Sequence, residues 1–136
     1  MKIGSFEMPW EARDSYKNGV KLAPDIPLWY MWPYDPNGVN QIGCIYTVQG
    51  FEFDYIGVIF GEDLRYDQSL KRWVADKSRS FDPNLNKSSL SEDEFMDYAK
   101  NVYRVLLTRG MKGCYVYFVD KRTEQLIRKS IERPLF

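Results

Sequence analysis

Residues 35–64 read DPNGVNQIGCIYTVQGFEFDYIGVIFGEDL, and the middle of that stretch decides the fold. Within residues 47–61, TVQGFEFDYIGVIFG, a polar turn built on Gln49 and Gly50 carries two acids, Glu52 and Asp54. The turn runs straight into DYIGVIFG, whose length and β-branched, aromatic composition are those of a buried strand. A buried strand has no need of two carboxylates at its entrance, so their purpose has to be sought elsewhere in the chain. Just upstream, IGCIY reads as a second, shorter buried strand.

Downstream the pattern alternates. Residues 61–90 form a polar connection that is long for a compact domain. Inside it, LRYDQSLKRWVAD reads as a hairpin around Asp67–Leu70, with LRY and RWV as its arms. A helix follows, announced by a capping box of Ser91 and Glu94, with Glu92 and Asp93 favouring the positive end of its dipole. Phe95, Ala99, Val102 and Leu106 recur at helical spacing along one face, and Gly110 offers a C-terminal stop. GCYVYFV is the next strand. Residues 121–132 form a last helix with Leu126, Ile127 and Ile131 inward. Strand, helix, strand, helix predicts an α/β fold with a mostly parallel sheet flanked by helices.

Residues 1–41 have a different texture, rich in Trp, Tyr, Pro and Gly, with EMPWEA and LWYMWPYDPNG as markers. Pro33, Pro36 and Gly38 break regular structure, and DPNG has turn chemistry. Short strands are expected near residues 3–7 and 27–32, joined by a loop. The aromatics fit core filling, and also a stacking platform for bases. The domain expectation is therefore a single domain over 1–136: an aromatic segment to residue 41, then an α/β part containing the 61–90 insertion.

Composition narrows the chemistry. A chain of 136 residues with 44% apolar content is one globular domain. Nineteen basic and nineteen acidic residues cancel overall, so no global field points to a polyanion or an anionic membrane. Residues 100–136 nevertheless hold nine Lys/Arg against three Asp/Glu, about +6, which fits a phosphate-facing surface or a solvated helix face. The chain has no histidine, which excludes a histidine base, a Ser-His-Asp triad and a His-ligated metal. Cys44 and Cys114 cannot build a structural zinc site without histidine and read as small buried hydrophobes. With no signal peptide and no 18-residue apolar run, a soluble, cytoplasmic chain without membrane association is expected.

Two stretches carry candidate chemistry. YIGVIFGED, an apolar strand ending in Glu62 and Asp63, has the look of a metal-binding strand of a phosphate-loop ATPase. That reading needs a Gly-Lys-Ser/Thr loop, and the sequence has neither a Gly-Lys pair nor a G-x-G-x-x-G. Glu62 and Asp63 then read as loop acids. In NVYRVLLTRGMKG, residues 101–113, Arg109 ends an apolar helix. It could simply stabilise that helix end, or offer its planar fork to a phosphate held by another surface.

Taken together, TVQGFEFDYIGVI and, some 50 residues downstream, YRVLLTRGMKGCYVY resemble the last two motifs of superfamily-one helicases. The closer resemblance is to a bacterial family of Schlafen group 3-like DNA/RNA helicase domains, over residues 35–64 and 101–119. The resemblance implies the second of two RecA-like lobes, of the phosphate-loop NTPase type, present here in part. By position, the Gln49-Gly50-Phe51-Glu52 turn would approach the nucleotide, with Glu52 near the ribose. Arg109, with Thr108 beside it, would be the arginine finger, and Tyr46 and Thr47 would lie toward a DNA or RNA track. Tyr46 stands where many superfamily-one members have His, and Gly110 where Ala is usual. The resemblance also implies ATP with magnesium in the full-length context, none held tightly by this chain alone. Its implied partner is an N-terminal RecA-like lobe carrying the phosphate loop and the metal-binding carboxylate. If the strands after Glu52 and Arg109 are parallel, both residues precede the same edge of one sheet.

Two other classes stay open on the residues alone. One is a binding module without ATPase activity, using the aromatic segment and the basic end. The other is a metal-dependent nuclease built on Glu52, Asp54, Glu62 and Asp63.

Overall fold

The computed structural model describes residues 1–10, 25–82 and 89–132. They belong to two compact units, Met1–Phe53 and Asp54–Phe136.

The first unit begins with a small hairpin rather than one strand over 3–7. Strands β1 (Lys2–Ile3) and β2 (Phe6–Glu7) pair antiparallel, reversing at Gly4, whose φ of +58° suits a residue without a Cβ. Residues 27–32 are not a strand either. Trp29–Met31 form a 3-10 turn, followed by another at Pro36–Asn40, where Asp35 accepts a hydrogen bond from the Asn37 N–H at 2.8 Å. Proline at the first position of this turn lacks only an N–H that would have had no partner there. Gln41 is buried, and its side-chain amide donates to the Pro27 carbonyl at 2.7 Å. The Trp32 indole in turn donates to the Gln41 carbonyl at 3.0 Å. The segment between the two expected N-terminal strands lies largely outside the described residues.

IGCIY is also not a strand. Ile45–Val48 form a one-turn helix, α1, capped by Cys44. The Thr47 hydroxyl accepts from the Cys44 N–H at 2.7 Å, and the Cys44 sulfur accepts from the Tyr46 N–H at 3.3 Å. This reciprocal capping satisfies donors that would otherwise be orphaned at a helix start. Gly43 is pressed so closely on the Trp32 ring that a Cβ there would lie 2.9 Å from it. The aromatics fill this unit: Trp32 meets Phe53 edge to face at 5.7 Å, and Tyr34 meets Phe51 at 5.2 Å.

The second unit is built on β3 (Phe53–Phe60) and β6 (Gly110–Phe118), which form a two-stranded parallel sheet. At one end of the pair Lys112 reaches Asp54 at 2.8 Å; at the other the Val119 N–H donates to the Phe60 carbonyl at 3.0 Å. Between them in sequence lies the expected hairpin, β4 (Leu64–Asp67) and β5 (Arg72–Ala75), antiparallel in register Leu64↔Ala75 to Asp67↔Arg72. Asp67 holds its turn by accepting from the N–H groups of Ser69 and Leu70, an Asx turn. Thus the described sheets comprise one parallel pair and two antiparallel hairpins.

Helix α2 (Glu92–Leu107) carries the expected Ser91/Glu94 capping box and packs on the β4–β5 hairpin. Its buried residues are Phe95, Ala99 and Tyr103, spaced by four, whereas Val102 and Leu106 are half-buried. Gly110 does not stop the helix. Thr108 caps it, and Gly110 already begins β6. Helix α3 (Lys121–Glu132) packs on β4 and β6. Leu126 and Ile127 are half-buried as expected, but Ile131 is 78% exposed. The anchor of α3 is Thr123, fully buried, whose hydroxyl donates to Asp120 at 2.7 Å and accepts from the Tyr66 N–H at 2.9 Å. The core of this unit gathers Ile56, Val58, Phe60, Leu64, Phe95, Ala99, Tyr103 and Phe118. No helix among the described residues is long and apolar enough to cross a membrane.

Candidate functional site

In the first unit the motif residues form a helix-and-turn. Tyr46 is exposed on α1. Thr47, next to it, is buried, and its hydroxyl is committed to Cys44, accepting from the N–H and donating to the carbonyl. The chain leaves α1 at Gln49 and turns at Gly50, whose φ of +85° puts it in the left-handed region. The Phe51 N–H closes the turn on the Val48 carbonyl at 3.1 Å. Gln49, Gly50 and Glu52 are all exposed. This turn exists because Gly50 can adopt that φ without strain, and it ends one residue before β3.

In the second unit the other motif closes α2. Thr108 donates its hydroxyl toward the carbonyls of Arg104 and Val105, at 2.9 and 3.0 Å. Arg109 is half-buried; its Nε donates to the Val105 carbonyl at 3.2 Å and its Nη2 to the Thr108 hydroxyl at 3.4 Å. The guanidinium therefore covers the negative end of the helix, the structural role open to a basic residue at that position. One residue later β6 begins, beside β3. Asp54 and Lys112 mark the entrance of the two strands with an exposed ion pair. Glu52 and Arg109 thus each directly precede a strand of the one parallel pair, and they belong to different units.

Three of the four acids considered for a metal-dependent nuclease are engaged by other side chains. Asp54 pairs with Lys112 and Glu62 with Arg79 at 3.3 Å, while Glu52 lies in the other unit. Asp63 is not a plain loop acid. It accepts from the Tyr103 hydroxyl at 2.6 Å, and that hydroxyl accepts from the Gly61 N–H at 2.9 Å. Burial pushes the Asp63 carboxyl above its ordinary range, against the opposing pull of the Tyr103 hydroxyl. Burial, and then the neighbouring Asp63 charge, raise the Tyr103 phenol far above its own, so it stays a neutral donor. Among the described residues no three His, Cys, Asp or Glu gather as a metal-binding set.

Sequence reading missed the Tyr103–Asp63–Gly61 strut. A signal was present: a tyrosine four residues beyond Ala99 on the apolar face, whose hydroxyl would need a partner once buried. The Asp54–Lys112 pair had no such signal, because its members are 58 residues apart.

The model of the family described as Schlafen group 3, DNA/RNA helicase domain, matches residues 1–120. An uncharacterized protein of Saccharomyces cerevisiae is 34% identical over 105 residues, covering 73% of this chain and 23% of that protein. The chain thus spans about a quarter of the length of this curated relative. That relative is fungal, so proteins similar to this chain are not confined to bacteria. No solved structure matches the chain significantly.

Proposed function

Because the chain belongs to the Schlafen group 3 DNA/RNA helicase domain family, we propose that it acts as the C-terminal, RecA-like lobe of a nucleic-acid-dependent ATPase. In this reading it supplies one face of an ATP site and part of a DNA or RNA track, and it is inactive alone. The observation that carries the reading is the adjacency of β3 and β6. The Gln49–Glu52 turn and the Thr108–Arg109 helix end, more than 50 residues apart in sequence, each lead directly into one strand of a single parallel pair.

Each unit offers its own candidate group for a nucleotide. Arg109 offers a planar fork for a phosphate oxygen, and Glu52 an exposed acceptor for ribose hydroxyls. The complement is missing: there is no Gly-Lys phosphate loop and no metal-ligand set among the described residues. The triphosphate and its magnesium are therefore assigned to a second lobe. To serve as the finger, Arg109 exchanges its bonds to the Val105 carbonyl and the Thr108 hydroxyl for charge-assisted bonds to phosphate, which are about twice as strong. Thr108 keeps the helix end in place while this happens. Tyr46, exposed on α1, is the track residue with a ring to offer; Thr47 positions α1 beneath it.

The test uses a full-length family member carrying both lobes. Arg109→Ala there should lower ATP turnover by roughly 10³–10⁵, the worth of a supplied arginine finger, with ATP binding retained. Arg109→Lys should not rescue, since an ammonium cannot present the fork. Turnover near wild type for Arg109→Ala would reduce Arg109 to the helix cap it forms on α2.

A further inference from the structure

We propose that Tyr103 is a positioning residue for Arg109: its hydroxyl, anchored on Gly61 and Asp63 beyond the end of β3, holds the helix end from which the guanidinium reaches a phosphate. The inference rests on the arginine-finger reading above and adds the residue that aims the finger.

A ring without a hydroxyl would fill this site. Tyr103 is 7% exposed, and its ring stacks on Phe60 with centroids 3.8 Å apart. The hydroxyl on that ring is used on both sides, donating to Asp63 at 2.6 Å and accepting from the Gly61 N–H at 2.9 Å. Glycine at 61 lets the turn come this close. A Cβ there would stand 2.8 Å from the Asp63 carboxylate and 3.2 Å from the hydroxyl itself. The stack supplies packing, whereas the two hydrogen bonds supply direction, since a satisfied polar network specifies one arrangement.

That constraint lies next to the bonds of the finger. Arg104 and Val105 directly follow Tyr103, and their carbonyls accept from the Thr108 hydroxyl at 2.9 and 3.0 Å. The Val105 carbonyl also accepts from the Arg109 Nε at 3.2 Å. Val105 is two residues beyond Tyr103, about 3 Å along the helix axis, so a shift at Tyr103 passes to the group that holds the guanidinium.

The chain is braced on the far side of Arg109 as well. A Cβ on Gly110 would stand 2.2 Å from the Gly113 carbonyl oxygen and 3.1 Å from the Ile56 side chain, so the backbone there lies hard against its neighbours. Arg109 is thus set between two supports. Ile56 of β3 stands on one side, and Phe60, Gly61 and Asp63 hold Tyr103 on the other. A finger acts through its geometry, and misplacing a group by about 1 Å can lower a rate about 10²-fold.

The experiment is a double-mutant cycle on ATP turnover in a full-length family member carrying both lobes, with single-turnover rates for the slowest variants. Tyr103→Phe should lower kcat by roughly 10–10²-fold and leave the KM for ATP unchanged. In an Arg109→Ala background the same change should cause no further loss, because a residue that only aims Arg109 then has nothing to aim. A general defect of the fold would slow both backgrounds alike. Asp63→Asn, which keeps an acceptor for the hydroxyl, should turn over near wild type; a loss there matching that of Tyr103→Phe would count against the proposal. Unchanged kcat in Tyr103→Phe, or equal losses in the two backgrounds, would overturn it and leave the finger reading standing. Arg109→Ala at wild-type turnover would sink the finger reading, and this inference with it. Should Tyr103→Phe not fold, Asp63→Ala enters the same cycle: a loss seen only when Arg109 is present supports the proposal, and equal losses overturn it.

Discussion

The Tyr103 hydroxyl and the Asp63 carboxylate meet at 2.6 Å, linking the inner face of α2 to the turn that follows β3. The same hydroxyl accepts from the Gly61 N–H, while the Tyr103 ring stacks on Phe60, centroids 3.8 Å apart. A single side chain therefore ties α2, which Thr108 caps, to the end of β3 and the turn after it.

Removing only the hydroxyl isolates that polar link. Tyr103→Phe should keep the stack on Phe60 and destabilise the chain by about 1 kcal/mol, the net worth of a hydrogen bond between half-buried partners. Urea unfolding with an unchanged m-value would read it. A midpoint indistinguishable from wild type would show that water replaces the hydroxyl.

Asp63 also sets a pH dependence. Its carboxyl pKa is raised in the folded chain above the reference value of 3.8. Between that value and the folded pKa the folded state therefore holds the extra proton, so this residue's contribution falls as pH rises through that window. Asp63→Asn removes the titration. The stability of wild type relative to Asp63→Asn should decline from acid toward neutral pH, and superimposable profiles would contradict the burial-driven shift.

Thr123 makes a sharper comparison. Thr123→Val keeps the volume but deprives the Tyr66 N–H and Asp120 of their shared partner, at about 1–3 kcal/mol. Thr123→Ser keeps the hydroxyl and should cost less. Hydrogen exchange at the Tyr66 amide, faster in the Val variant alone, would report the loss at its source.

Gly50 tests the turn before Glu52. Nothing lies within 4 Å of a Cβ there, so a substitution meets only the backbone penalty of φ +85°. Gly50→Val should cost about 1–2 kcal/mol, with Gly50→Asn milder, since Asn tolerates the left-handed region. Equal stabilities for the two would mean that the turn relaxes to another conformation.

The chain on its own should hydrolyse no ATP above background, with or without DNA or RNA, because it has no Gly-Lys phosphate loop. A phosphate-release assay on the purified chain reads this directly. Robust turnover that vanished with Glu62 and Asp63 substituted would turn the assignment toward chemistry of those acids.

What the sequence alone determined was part of what is written in short-range code. The β3 run, the Asp67 hairpin, the Ser91/Glu94 cap and the limits of α3 each follow from residues within a few positions of one another, where turn chemistry, capping and periodicity act. The motif pair was legible for the same reason: each half is a compact string. Tertiary structure alone decided the rest. Ile42–Tyr46 has a strand's composition, yet Thr47 and Cys44 cap each other and Gly43 must lie on the Trp32 ring, so the segment turns into α1. Ile131 has helical spacing yet stays exposed. Tyr103 joins Asp63 across 40 positions and Lys112 joins Asp54 across 58. Such pairings depend on which strand lies beside which, and that is set by the packing of apolar faces that many sequences share, not by any local signal.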